Sequence, residues 1–205
     1  SEGYPSSPAL SHSWIVDNHA TVSTGGLHFG SESSDASVTN VVIAGNTSDQ
    51  HTGGVSVHDS SVSYTNVAVI ANEAQADAGG MRAHEIEMPT LRNIDVSSNV
   101  ASGTAGGIQL VGADFLDPQD SITYCNVCQN SPDDYVGFTV DPAAVNHNLC
   151  ESPLYWDVAG SDTLLWDLHL DPTSSLVGAG DPSLVDPDGT YSDIGAYGGP
   201  YSDQW

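Results

Sequence analysis

The sequence predicts an all-β fold, a right-handed parallel β-helix of about five to six coils with an irregular C-terminal cap. Three observations carry that expectation: an Asn-to-Gly spacing that recurs along the chain, short apolar clusters rich in Val, Ile, Thr and Ser, and a near-absence of helical periodicity. Asn18, Asn46, Asn72, Asn99 and Asn130 are each followed seven residues later by a glycine: Gly25, Gly53, Gly79, Gly106 and Gly137. In the first four the glycine is doubled and an alternating strand follows, as GGLHF, GGVSV, GGMRA and GGIQL, while the fifth reads VGFTV.

A second asparagine stands six residues before the first in three units, at Asn40, Asn66 and Asn93, across apolar stretches such as NVVIAGN. The period of 26 to 28 residues holds about three short strands. One such unit cannot bury its own inward side chains, so successive coils must stack in register. Repeated Asn at a bend fits this geometry, because Asn tolerates left-handed backbone and its amide can bond to the same amide one coil away, about 4.8 Å distant. The five Asn positions therefore read as a structural ladder and the glycine pairs as tight corners. Alternation sends Leu27, Phe29, Val55, Val57, Met81, Ala83, Ile108 and Leu110 inward, with Val41, Ile43, Val67, Val69, Ile94 and Val96 as further walls.

Residues 1–150 read as the coils and 151–205 as a capping segment packed on the same solenoid. Tyr155, Trp156, Trp166, Tyr191, Tyr197, Tyr201 and Trp205 concentrate in that segment. Such rings suit either a sugar-stacking surface or a cover for an open solenoid end, and the reading favours the cover. The first residues already resemble strand and corner, so the N-terminal coil is expected to meet further coils or a neighbouring chain.

The chain of 205 residues carries 27 Asp plus Glu against two basic side chains, Arg82 and Arg92, for a formal charge of -25. That sign repels phosphate backbones and anionic lipid headgroups and excludes nucleic acid as a partner. No run approaches the roughly 18 apolar residues that span a membrane. An acidic shell with 39% hydrophobic residues in regular clusters is a folded chain for a saline or extracellular setting. The opening residues lack the pattern of an export signal, which is expected to have been removed. Of the three cysteines, Cys125 and Cys128 point to opposite faces of an extended strand, which favours a Cys128–Cys150 disulfide with Cys125 buried. CNVC has no second pair to complete a zinc site.

The repeat spacing is similar to that of polymorphic outer-membrane proteins and related right-handed β-helix proteins of bacteria. The stretch from Tyr124 to Pro200, with YCNVCQN, SPLYWD, DLHLDPTSSLVGAGDP and DPDGTYSDIGAYGGP, resembles the C-terminal end of choice-of-anchor Q β-helix proteins. It departs from them at Gly178, where an aspartate is usual. The resemblance implies secretion and bacterial surface display, and it constrains fold and location more than chemistry.

Two candidate sites remain. On the outer face of the post-glycine strands His28, Ser56, Arg82 and Gln109 form one column, and His58 and His84 a neighbouring one, with Asp59 and Glu85 beside them. A divalent metal or an acidic sugar could be held there, although a solvated His-rich face is the commoner meaning. In DPDGTYSD, Asp186, Asp188 and Asp193 surround a glycine turn, either as oxygen ligands for calcium or as carboxylates capping a tight turn. A lyase would need basic groups beside calcium-binding carboxylates, and a hydrolase paired aspartates on adjacent coils. The sequence thus favours a non-catalytic secreted or cell-surface protein with a structural, adhesive or assembly role, whose partners are other subunits or surface polysaccharide. A carbohydrate-active module is the alternative.

Overall fold

A computed structural model of the protein describes residues 7–30, 35–84, 89–112 and 121–205. Its first turn contributes strands β1 (Ala9–Val16), β2 (His19–Ala20) and β3 (Leu27–Phe29), and the second β4 (Ala36–Ala44), β5 (Thr47–Ser48) and β6 (Val55–His58). The third contributes β7 (Val62–Ile70), β8 (Glu73–Ala74) and β9 (Met81–His84). The fourth holds β10 (Thr90–Arg92), β11 (Asp95–Ser97), β12 (Val100–Ala101) and β13 (Ile108–Val111), after which come β14 (Ile122–Thr123), β15 (Asn126–Cys128) and β16 (Tyr135–Val136). Equivalent strands pair in parallel, giving three sheets that run the length of a β-solenoid.

The ladder is the internal frame of this stack. The main-chain N–H and the side-chain Nδ2 of Asn46 both donate to Oδ1 of Asn72, at 3.0 Å each, and Asn72 repeats the pair toward Asn99. The second Nδ2 hydrogen of each residue goes to a carbonyl of the preceding turn, from Asn46 to Ile15, from Asn72 to Ile43 and from Asn99 to Val69. Asn46, Asn72 and Asn99 are completely buried, yet both their amide hydrogens and their oxygens are satisfied. The left-handed backbone lies one residue earlier than the sequence reading placed it, at Asp17, Gly45, Ala71, Ser98 and Gln129. The ladder Asn is therefore selected for its amide, and the bend is made by its predecessor.

The glycine pairs have no positive φ and answer a different constraint. A Cβ at Gly54 would stand 2.5 Å from the Gly80 carbonyl oxygen and 3.1 Å from Nδ2 of Asn72. The ladder amide and the next turn's backbone occupy the space that a side chain would need.

Inside, Val41, Ile43, Val55, Val57, Val67, Val69, Met81, Ile94, Val96 and Ile108 form one buried cluster with Phe29 and Tyr64, as the alternation predicted. Leu27 is half-buried against it. Cys125 lies in this core, while Cys128 on the opposite face is bonded to Cys150.

The solenoid has about four turns rather than five to six. Five ladder corners delimit four intervals, and the fifth unit does not repeat the first four. Tyr135 pairs with Ile108, Val136 with Gln109, and Gly137 comes to lie against Leu110. The seven-residue step from Asn130 to Gly137 is therefore a coincidence of spacing, since Asp133 and Asp134 occupy the corner that glycines fill elsewhere. Asp134 ends the ladder, its Oδ1 accepting from N and Nδ2 of Asn130 at 2.9 and 2.8 Å.

The C-terminal end of the stack is closed by residues 135–150 and not by the aromatic tail. Tyr135 and Phe138 pack edge to face on the core, Pro142–Ala144 forms a 3-10 turn, and Asn148 donates to the Ile122 and Pro142 carbonyls. The tail from 151 onward lies instead along the flank of the first sheet, running from the later turns back toward the first. Asn93 receives Asp181 N–H and donates to Ser192 Oγ, Asn66 donates to Ser192 and Asp193, and Asn40 donates to the carbonyls of Ala196 and Gly198. His12 then meets the Tyr201 carbonyl at 3.3 Å. These second-column residues all have positive φ, which turns their amides outward. The tail matches them with glycine: a Cβ at Gly198 would lie 2.7 Å from Nδ2 of Asn66. Leu168 and Ala196 bury Val42, Ala44, Ala68 and Ile70 beneath them, so the first sheet is covered on both faces. The uninterrupted apolar runs VVIA and VAVI carry that signal, because a sheet with one wet face alternates.

Replacing Asn72 by Ala leaves the N–H groups of Asn46 and the carbonyl of Ile43 buried without partners. The expected loss is about 3 kcal/mol or more in urea unfolding, whereas Asn18→Ala at the exposed end of the ladder costs about 1 kcal/mol or less.

Candidate ligand-binding sites

On the outer face of the third sheet the register does align the predicted columns. His28 pairs with Ser56, Ser56 with Arg82, Arg82 with Gln109, and His58 with His84. The His58 and His84 rings stack at 5.1 Å with planes 11° apart. His28 is exposed beside them, and partial desolvation, followed by the charge of His58, lowers its pKa. Asp59 follows at a positive-φ bend and donates its N–H to the His84 carbonyl. Glu85 lies outside the described residues.

Arg82 stands in the first of these columns, and its guanidinium also faces a carboxylate. Its Nε stands 3.6 Å from Asp77 Oδ2, which also meets Nδ1 of His51 at 2.7 Å. Asp77 and His51 occupy the same position of successive repeats, two residues before the glycine pair. Aligning the repeats against one another would have found this pair.

The three aspartates of DPDGTYSD serve the tail's own backbone. Asp186 Oδ1 accepts from Gly199 N, Asp188 Oδ1 accepts from N and Oγ1 of Thr190, and Asp193 Oδ1 accepts from Gly178 N. Gly178 has φ +62°, a bend that holds the loop together. Among the described residues the three carboxylates do not gather as a metal-sized ligand set; the group that does, Cys128, Asp134 and Cys150, has both sulfurs committed to the disulfide. Burial and the neighbouring Asp193 and Asp188 push the Asp186 carboxyl up to about 6, burial being the larger cause. Asp193 is raised in the same direction, chiefly by burial.

One buried carboxyl escaped sequence reasoning altogether. Asp95 sits on the covered face of the first sheet, in the row Trp14, Val42, Ala68, Asp95 and Asn126. It accepts from Ser97 Oγ, Tyr155 OH and Asn126 Nδ2, each at 2.6 Å. Burial raises its pKa against the opposing effect of those three donors. It fixes the start of the tail to the solenoid and is sealed from solvent, a structural position.

Set against protein-family models, curated proteins and solved structures, the chain matches none. The site assignments accordingly rest on this geometry alone.

The Asp186 shift has a definite sign. A carboxyl whose folded pKa lies above its unfolded value holds its proton more tightly when folded, so its contribution to stability is present at acid pH and is lost as pH rises through about 6. Asp186→Asn, which keeps an oxygen for Gly199, is expected to melt with the wild type at pH 4.5. At pH 7.5 it should be more stable by roughly 1 kcal/mol, allowing for solvent screening of this part-exposed group. Calorimetry at the two pH values checks this.

Proposed function

We infer that the protein is a non-catalytic β-solenoid of a secreted or cell-surface protein, acting in surface structure, adhesion or assembly with other subunits or polysaccharide. The observation that carries this reading is where the polar side chains are engaged. Ladder asparagines bond to one another, second-column asparagines bond to the tail, and the tail aspartates bond to their own turns. These groups hold a rigid rod together and are not poised toward a substrate.

The Cys128–Cys150 disulfide supports an oxidising compartment outside the cytosol. The charge of -25 supports a saline surrounding in which calcium and other divalent cations act as diffuse counter-ions to the acidic shell. The resemblance of the tail to choice-of-anchor Q β-helix proteins, and of the repeats to polymorphic outer-membrane proteins, supports display at a bacterial surface. The carbohydrate-active alternative has one observation in its favour, the stacked His58 and His84 on an outer face with His28 nearby.

An assay of the intact protein on neutral and acidic polysaccharides, with detection of new reducing ends and of unsaturated products, separates the two. The scaffold reading expects no release above the buffer blank. Turnover that His58→Ala or His84→Ala abolishes would replace it with the enzymatic one.

A further inference from the structure

The left-handed residues that precede the ladder asparagines form a column of their own along one corner of the solenoid: Asp17, Gly45, Ala71, Ser98 and Gln129. The tail covers the first two. Thr163 Oγ1 donates to Asp17 Oδ2 at 2.6 Å, and a Cβ on Gly45 would lie 2.7 Å from the Thr163 methyl carbon. Over Ala71, Ser98 and Gln129 the tail parts instead, leaving a cleft of about 400 Å³. Leu154 and Tyr155 stand among its lining residues together with Val158 and Trp166.

This lining is unusual for the chain. None of its residues carries a charge at neutral pH, although the protein has 27 acidic side chains. Burial, and after it the Asp95 carboxyl to which its hydroxyl is tied, raises the Tyr155 pKa well above its ordinary value, so it stays neutral. Leu154 and Val158 are 46% and 44% exposed, so packing alone does not account for them. The indole N–H of Trp166 is fixed to the Gly160 carbonyl at 3.2 Å, which sets the orientation of its ring. Ser98, Ser152 and Gln129 line the same space and are exposed, so their polar side chains are open to a ligand.

We propose that this cleft is a binding site for a neutral saccharide segment, with Trp166 and Leu154 against the apolar face of a sugar ring and Ser98, Gln129 and Ser152 on its hydroxyls. An anionic ligand finds no cation there and meets the repulsion of the whole shell. A wholly apolar ligand would strip water from two hydroxyls and an amide without replacing their hydrogen bonds. A neutral sugar, with apolar C–H faces and a hydroxyl edge, meets both requirements. The floor repeats once per turn, about 4.8 Å, so it presents an elongated row of contacts suited to a chain of sugars. This inference rests on the adhesive form of the function proposed above and supplies its ligand class.

The intact protein is titrated calorimetrically with neutral cello-, xylo- and manno-oligosaccharides, and with a galacturonate oligomer as the anionic control. At least one neutral series is expected to bind, with the anionic one at least tenfold weaker. Trp166→Ala should weaken binding about tenfold or more, and Ser152→Trp, which fills the cleft from an exposed position without removing tail packing, should do the same. Trp156→Ala, outside the cleft, should stay within about twofold. Binding that survives Ser152→Trp, or preference for the galacturonate, overturns the site. If no neutral oligosaccharide binds at all, the inference fails while the scaffold reading still stands or falls on polysaccharide turnover.

Discussion

A buried amide cannot be left half-satisfied, and in this chain that constraint sets the geometry of everything around it. Each interior ladder asparagine offers two side-chain hydrogens and one oxygen in a site without water, and the arrangement that satisfies all three is the same residue one turn away together with a carbonyl of the turn before. The distance between turns, the direction of the stack and the bend before each Asn follow from it. The glycine pairs are its steric consequence, because the ladder amide and the neighbouring backbone fill the volume beside them. The aliphatic columns supply the burial that drives folding, but columns of Val and Ile alone would tolerate slippage of one turn against the next. The ladder removes that freedom.

A second set of asparagines applies the same chemistry outward. With positive φ at Asn40, Asn66 and Asn93 the amides leave the core and grip the tail, which answers with backbone carbonyls, Ser192 and glycines small enough to approach. Flank attachment turns the first sheet into a layer with two dry faces, one against the solenoid interior and one against Leu168 and Ala196. Asp95 and Tyr155 secure the upper end of that layer, and Arg92, one of two basic residues in the chain, holds Asp181 beside the Asn93 contact. The acidic excess is thereby kept to the outside, where salt screens it.

This division of labour explains why the proposed role is that of a scaffold that displays sites and not one that carries out chemistry. Amide groups that might have faced a ligand are consumed in the ladder and the clasp. What the tail leaves uncovered, the neutral cleft over Ala71, Ser98 and Gln129, lies between that corner of the solenoid and the tail residues Ser152, Leu154, Tyr155, Val158 and Trp166.

The sequence by itself determined the repeat and the inward aliphatic columns, because periodic side chains on a period-two strand have only one way to face a common core; it favoured the pairing of Cys128 with Cys150, which the structure makes. It also placed His58 beside His84, since register follows once the corners are aligned. Three things were decided only by tertiary structure. The fifth repeat fails because Asn130 bonds to Asp134 four residues on, a contact that spacing alone does not distinguish from another turn. Arg82 faces Asp77, which lies in the corner before its own strand and also meets His51 of the turn before, a placement that strand alternation does not record. The tail lies on the flank and not over the end because the outward amides of Asn40, Asn66 and Asn93 fix it there, and the direction of an amide depends on a backbone angle that no residue name records.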